Sequence, residues 1–185
     1  GIDYFHIVDI ANPEIPEELG SFELPLHYNP TSLMVEGNNA YLTCTDYATT
    51  SRLYIIDVSD PSAPTVITDH ALDFIMPTDV YVVQNQVYIC NAWEGFDIVD
   101  ITDPADPVRI GSCDTPGSAL NLVVENDLIF LADATNLGIY RFGSGSWVEP
   151  PGKLKLLPVY PNPFNSSTTI SYELPQPGDI SIQIY

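Results

Sequence analysis

Three aspartates return at a near-constant interval. Asp9, Asp57 and Asp100 lie 48 and 43 residues apart, and each closes an apolar run: FHIVD, LYIID and FDIVD. Carboxylates repeated in this way could gather around Ca²⁺, a cation that takes about six to eight oxygen ligands. They could instead each accept backbone N–H groups in a local Asx turn. The turn reading is preferred, because equivalent positions of successive structural repeats radiate outward and need not converge. Ca²⁺ is the one cofactor the pattern allows, and no metal-ligand residues are assigned. Asp79 and Asn121 stand near the heads of two other apolar runs. At the centre of a repeat array, a carboxylate such as Asp79 is what a general acid or base would require. Tyr47 and Trp93 occupy corresponding loops, where aromatic rings can stack on a sugar or peptide or simply support the loop. Tyr47, Trp93, Asp79 and Asn121 are therefore the candidate ligand-contact residues, and no catalytic residue is expected.

Other chemistry is missing from the pattern. The sequence has no His-Glu-x-x-His, phosphate loop, dinucleotide fingerprint or Gly-centred Ca²⁺ loop. His6, His27 and His70 share no motif, and the repeats place Tyr54 and Asp97 where His6 stands. Cys44, Cys90 and Cys113 are odd in number and lack a Cys-x-x-Cys spacing, so neither a disulfide framework nor a metal site is expected. Five Lys and Arg against 25 Asp and Glu give a formal net charge of -20, which repels phosphate backbones and anionic membranes. Nucleic acid is excluded on that ground. No apolar run reaches the length of a membrane span. The chain has no initiator Met or signal segment, so a missing N-terminal portion is expected.

The aspartates must be held by strands. Tyr54, Ile55, Ile56 and Val58 are β-branched or aromatic, and the run is too short for an ordinary helix. Pro61 and Pro64 then remove two backbone donors and end the ladder. Ahead of each such strand lies a hairpin: SLMVEGNNAYLTC at 32–44, DVYVVQNQVYICN at 79–91 and LNLVVENDLIFLA at 120–132. Asn38-Asn39, Asn85-Gln86 and Asn126-Asp127 are the expected turns. Tyr41 and Tyr88 are 47 apart, and Tyr88 and Ile129 are 41 apart. A fourth strand follows each proline turn, at 18–24, 65–68 and 108–114. Four strands in a period of roughly 40–50 residues describe a propeller blade. The count is half a blade, two whole blades and three strands of a last one, an arc of about three and a half blades.

The signature IIDVSDPSAP, with DIVDITDPADPVRIG and the following Thr115–Gly117, resembles the LVIVD repeat family over residues 1 to about 143. The resemblance implies a β-propeller on secreted or surface proteins of bacteria and archaea. The longer loop 45–52 and the link DHALDFIMP depart from that pattern and are where a specific contact is expected first.

Beyond residue 142 the periodicity stops. Residues 143–153 are rich in Gly, Ser and Pro and read as a linker. Residues 154–185 alternate again: Ile170, Tyr172 and Leu174 share one face of a strand, and Ile180, Ile182 and Ile184 one face of the next. This reads as the start of a small β-sandwich. YPNPFNSSTTISYELP resembles the type A C-terminal sorting domain of type IX secretion, although Ser166 stands where the family usually has Pro and the later strands are absent. The resemblance implies export to the outer surface or medium, with the type IX machinery as a partner.

The expectation is an all-β chain: a partial propeller over 1–142, a linker, and a truncated sandwich. Its propeller would be a non-catalytic binding or scaffold module for a protein or glycan. The alternative is an extracellular hydrolase, or another enzyme, with active residues in the propeller channel or upstream.

Overall fold

The computed structural model describes residues 4–24, 28–74, 76–134, 136–143, 146–148, 155–156 and 172–173, with side chains up to residue 141. Among them every regular element is a β-strand. His27 lies outside this set, as do most of the expected linker and sandwich. From the sandwich only the pairing of Lys155–Leu156 with Tyr172–Glu173 is described.

The first sheet is the antiparallel pair β1 (Tyr4–Asp9) and β2 (Glu17–Glu23). A four-stranded meander follows: β3 (Asn29–Glu36), β4 (Asn39–Thr45), β5 (Ser51–Asp57) and β6 (Thr65–Leu72). The next is β7 (Pro77–Val83), β8 (Gln86–Asn91), β9 (Gly95–Asp100) and β10 (Val108–Cys113). The last is β11 (Ala119–Glu125), β12 (Leu128–Asp133), β13 (Asn136–Gly143) and β14 (Ser146–Val148). The three complete sheets stack with β3, β7 and β11 side by side, the arrangement of propeller blades around their inner strands.

Burial grades from the middle of each blade outward. β4 and β8 are almost wholly buried, whereas β6 and β10 are mostly exposed. A sheet covered on both faces loses the alternation of a half-buried strand, which explains runs such as VYIC. Three apolar clusters fill the gaps between sheets. Phe5, Leu24, Leu42, Tyr54 and Ile56 join the half-blade to the first blade. Leu53, Ile55, Val80, Val82, Ile89 and Val99 join the first to the second. Phe96, Ile98, Leu122, Ile129 and Leu131 join the second to the third.

Two sequence expectations need correcting. The turns of the first two hairpins are Gly37-Asn38 and Gln84-Asn85, one residue earlier than the Asn positions suggest. Gly37 and Gln84 take φ of 60° and 56°, and both residues of the third turn, Asn126 and Asp127, are also positive. The ladders accordingly set Tyr88 equivalent to Phe130 and not to Ile129, since Cys90 pairs with Asp79 and Ala132 with Asn121. The second correction concerns the last blade, which has a fourth strand. Ser146–Val148 pairs antiparallel with Arg141–Gly143, so residues 146–148 of the expected linker belong to the blade.

Candidate functional site

The inner strands carry a polar belt. β3, β7 and β11 each have a bulge at the same place, between Pro30 and Ser32, Pro77 and Asp79, and Ala119 and Asn121. A bulge kinks its strand and re-aims the next side chain. Here Ser32, Asp79 and Asn121 reach across to the neighbouring blade. Ser32 Oγ donates to Asp79 Oδ1 at 3.0 Å and accepts from the N–H of Val80 at 3.2 Å. Asp79 Oδ2 accepts from Asn121 Nδ2 at 2.7 Å and from the N–H of Leu122 at 3.0 Å. One carboxylate thus ties three blades together. The structure brings Asp79 and Asn121 into contact. Ser32 escaped the sequence reading, although it sits at the head of the first hairpin, 47 residues before Asp79.

The recurring aspartates build turns. Asp9, Asp57 and Asp100 each accept the N–H two residues on, at 2.8 Å. Asn12, Asp60 and Asp103 repeat the motif three residues later, with N–H to oxygen distances of 3.2, 3.0 and 3.0 Å. Two Asx turns in succession therefore shape each proline connection. Bonds from the hydroxyl and N–H of Ser59 hold the Asp57 carboxyl below its ordinary range, and Thr102 does the same for Asp100. Among the described residues, no group of three or more His, Cys, Asp or Glu side chains is placed to hold a metal.

Tyr47 and Trp93 project from equivalent loops, 59% and 70% exposed. Tyr47 has φ of 58°, a backbone state rare for a bulky residue. Its loop is fixed by Asp46, which accepts the N–H groups of Ala48, Thr49 and Thr50 and the hydroxyls of Thr49 and Thr50. These bonds press the Asp46 carboxyl far below its ordinary range. Beside the loop lies a groove of about 280 Å³ between the first two blades, lined by Tyr47, Thr31, Thr45, Thr78, Met76 and two prolines. Among the described residues no charged one lines it. Asp79, Asn121 and Trp93 lie outside the lining, but the Trp93 loop is tied to it, because the N–H of Ala92 donates to Met76 O at 3.1 Å.

Other polar residues make local contacts within and between the sheets. Cys44 and Cys90 are buried and Cys113 half-buried, none in a disulfide. Burial pushes the Cys90 thiol well above its usual pKa and raises that of Cys113, which suits packing more than reaction. His6 meets Glu18 at 3.0 Å on the exposed half-blade. Arg109 contacts Asp97 at 3.0 Å, where burial raises the Asp97 carboxyl and Arg109 partly offsets the shift. The Thr115–Gly117 link is gripped by buried Asp133, which accepts from Thr115 Oγ and the N–H of Gly117. A Cβ on Gly117 would lie 2.7 Å from Asp133 Oδ1, so glycine is the residue that fits.

Comparison with known proteins agrees with this architecture. The LVIVD repeat profile matches residues 2–23, 29–70 and 76–115, more than half of the chain. No curated protein matches. Among solved structures, the β-propeller domain of Cps50 (Swd1) from Myceliophteria thermophila superposes with a TM-score of 0.60 at 14% identity, over 79% of this chain and 53% of that one. The chain thus spans about half the length of that structure. The computationally designed Ika4 protein superposes with a TM-score of 0.57 at 12% identity, over 86% of this chain and 99% of that one. At these identities the likeness is one of fold.

Proposed function

Because the chain belongs to the LVIVD repeat family, we propose that its propeller blades act as a non-catalytic binding module on an exported bacterial protein, with the Tyr47 groove as the ligand site. One observation carries this reading. In a chain of net charge -20, the groove beside a pre-set aromatic loop is lined, among the described residues, by hydroxyl, proline, thioether and phenol groups and by no charge. Such a lining suits an uncharged glycan or a neutral peptide segment, which a ring can cover while hydroxyls fix its orientation. The engagement of Asp79 by three donors further supports a scaffold role for the belt, since a general base needs an oxygen free for substrate.

The test is a glycan and peptide array on the full chain. Tyr47→Ala is expected to weaken the strongest hit by at least about tenfold, with Tm within about 1 °C of the parent and no turnover of model glycosides. Unchanged binding by Tyr47→Ala would remove the groove from the account. Residues 154–185 serve, in this reading, as the address for type IX secretion, on the strength of the YPNPFN resemblance. Deleting them in a host that has the machinery should leave the protein inside the cell. Normal surface delivery without them would contradict it.

A further inference from the structure

We infer that the ligand of the Tyr47 groove is a neutral glycan chain, and that it continues from the groove past Thr78 to stack on Trp93 of the next blade. The inference rests on the reading of the groove as a ligand site and adds the ligand's class and its second contact. Hydrogen-bond capacity selects the class. The Thr78 hydroxyl donates to Ala119 O at 2.7 Å, and that of Thr31 to Thr43 O at 3.1 Å. Pro30 and Pro77 have no N–H to give. With their protons committed inward, Thr31 and Thr78 offer the groove lone pairs, so the occupant must bring donors. A sugar hydroxyl does so by rotating. A peptide brings a C=O with almost every N–H, and a carbonyl set against these oxygens would lose its water and gain no partner.

Charge narrows the class further. Asp46 precedes Tyr47 and Glu94 follows Trp93, so a carboxylate stands next to each ring and repels a uronic or sulfated chain. The Asp46 carboxyl already takes five donors, so it offers no pairing site to a Lys or Arg side chain. The chain that fits is uncharged.

Trp93 supplies the second contact. It is 70% exposed in the short turn between β8 and β9. The Glu94 N–H donates to Asn91 O and Asn91 Nδ2 to Glu94 Oε2, both at 2.9 Å. Gly95, at φ of 78°, follows where a Cβ would overlap Cys113 O. The turn is thus fixed while its indole stays uncovered, and a ring held out on a fixed turn has little freedom left to lose on stacking. A circuit of bonds joins the two loops: Ala92 N–H to Met76 O at 3.1 Å, Ala119 N–H to Ala92 O at 2.8 Å, and Thr78 Oγ1 back to Ala119 O. Thr78 in the groove wall and the Trp93 loop therefore form one surface. Because the rings sit on equivalent loops of adjacent blades, a ligand that reaches both must be longer than the groove alone would hold.

The test titrates the full chain with neutral glucose, mannose and xylose oligomers, from disaccharide to hexasaccharide, beside galacturonate oligomers and Lys-rich peptides. The neutral series that binds should gain about threefold to tenfold in affinity with length. Trp93→Ala should erase that gain and leave disaccharide affinity within about twofold of the parent, whereas Trp93→Phe should retain most of it. In a Trp147→Phe background, which removes the chain's other tryptophan, the hexasaccharide should shield Trp93 from acrylamide quenching and the disaccharide should not. Tyr47→Ala should weaken every length alike. A length gain that survives Trp93→Ala overturns the extension to the next blade and leaves the Tyr47 site standing. Tighter binding of a galacturonate oligomer or a Lys-rich peptide than of every neutral oligomer overturns the glycan class. Neutral oligomers that bind Tyr47→Ala as they bind the parent would remove the groove itself, and this inference with it.

Discussion

Surroundings set the titration of several carboxylates in this acidic chain. Hydroxyl and backbone N–H donors lower the Asp57, Asp60 and Asp100 carboxyls, whereas burial raises that of Asp97. A folded-state pKa below the unfolded value of about 3.9 stabilises the fold above that pH and loses the contribution as pH falls through the lowered value. Asp97 has the opposite sign: its ionisation costs stability as pH rises through its raised folded pKa. Asp46, pressed down furthest by its five donors, and the three turn aspartates should together shape the acid limb, so Tm is expected to fall as pH drops below about 4. An Asp57→Asn, Asp100→Asn variant keeps an oxygen acceptor in each turn but loses the charge. Thermal melts across that range should show a flatter limb. An unchanged slope would mean that other carboxylates govern acid unfolding.

Elements were legible wherever chemistry repeats, and obscure where geometry alone decides. The strand and proline connection could be read because Asp, Pro and β-branched residues each restrict the backbone in one direction. The first two hairpin turns lie one residue ahead of the positions that Asn suggests, because the ladder puts positive φ on Gly37 and Gln84, whereas the third falls on Asn126-Asp127 as expected. The last blade loses the Asp-Pro signal because Arg141 occupies the place of Asp100, so nothing of that kind marks the approach to its fourth strand. Gln84 is an L residue in a backbone state that glycine adopts freely. Gln84→Gly should therefore raise stability by about 0.5 kcal/mol, strain relief slightly exceeding the added chain entropy. Chemical denaturation would detect it as a higher midpoint at unchanged slope, and a lower midpoint would contradict it.

At the scale of the molecule, the chain is an arc of blades held by apolar seams and one polar belt. Asp79 and Asn121 were recognisable as central because they head equivalent apolar runs. Their mutual bond depends on the repeated bulge, which no residue type announces. The Tyr47 groove was half visible: the lengthened loop drew attention to Tyr47, but Thr31 and Thr78 read as ordinary strand residues until two blades were set side by side. The central claim is that the belt joins blades and performs no chemistry. Asp79→Ala tests it most directly, by thermal melting together with ligand binding and turnover on the same preparation. Leaving the Leu122 N–H and its fellow donors unmet should cost about 1–3 kcal/mol and lower Tm by several degrees, with binding at the Tyr47 groove retained below the transition. An unchanged Tm with binding or turnover abolished would make Asp79 a working site residue and contradict the account.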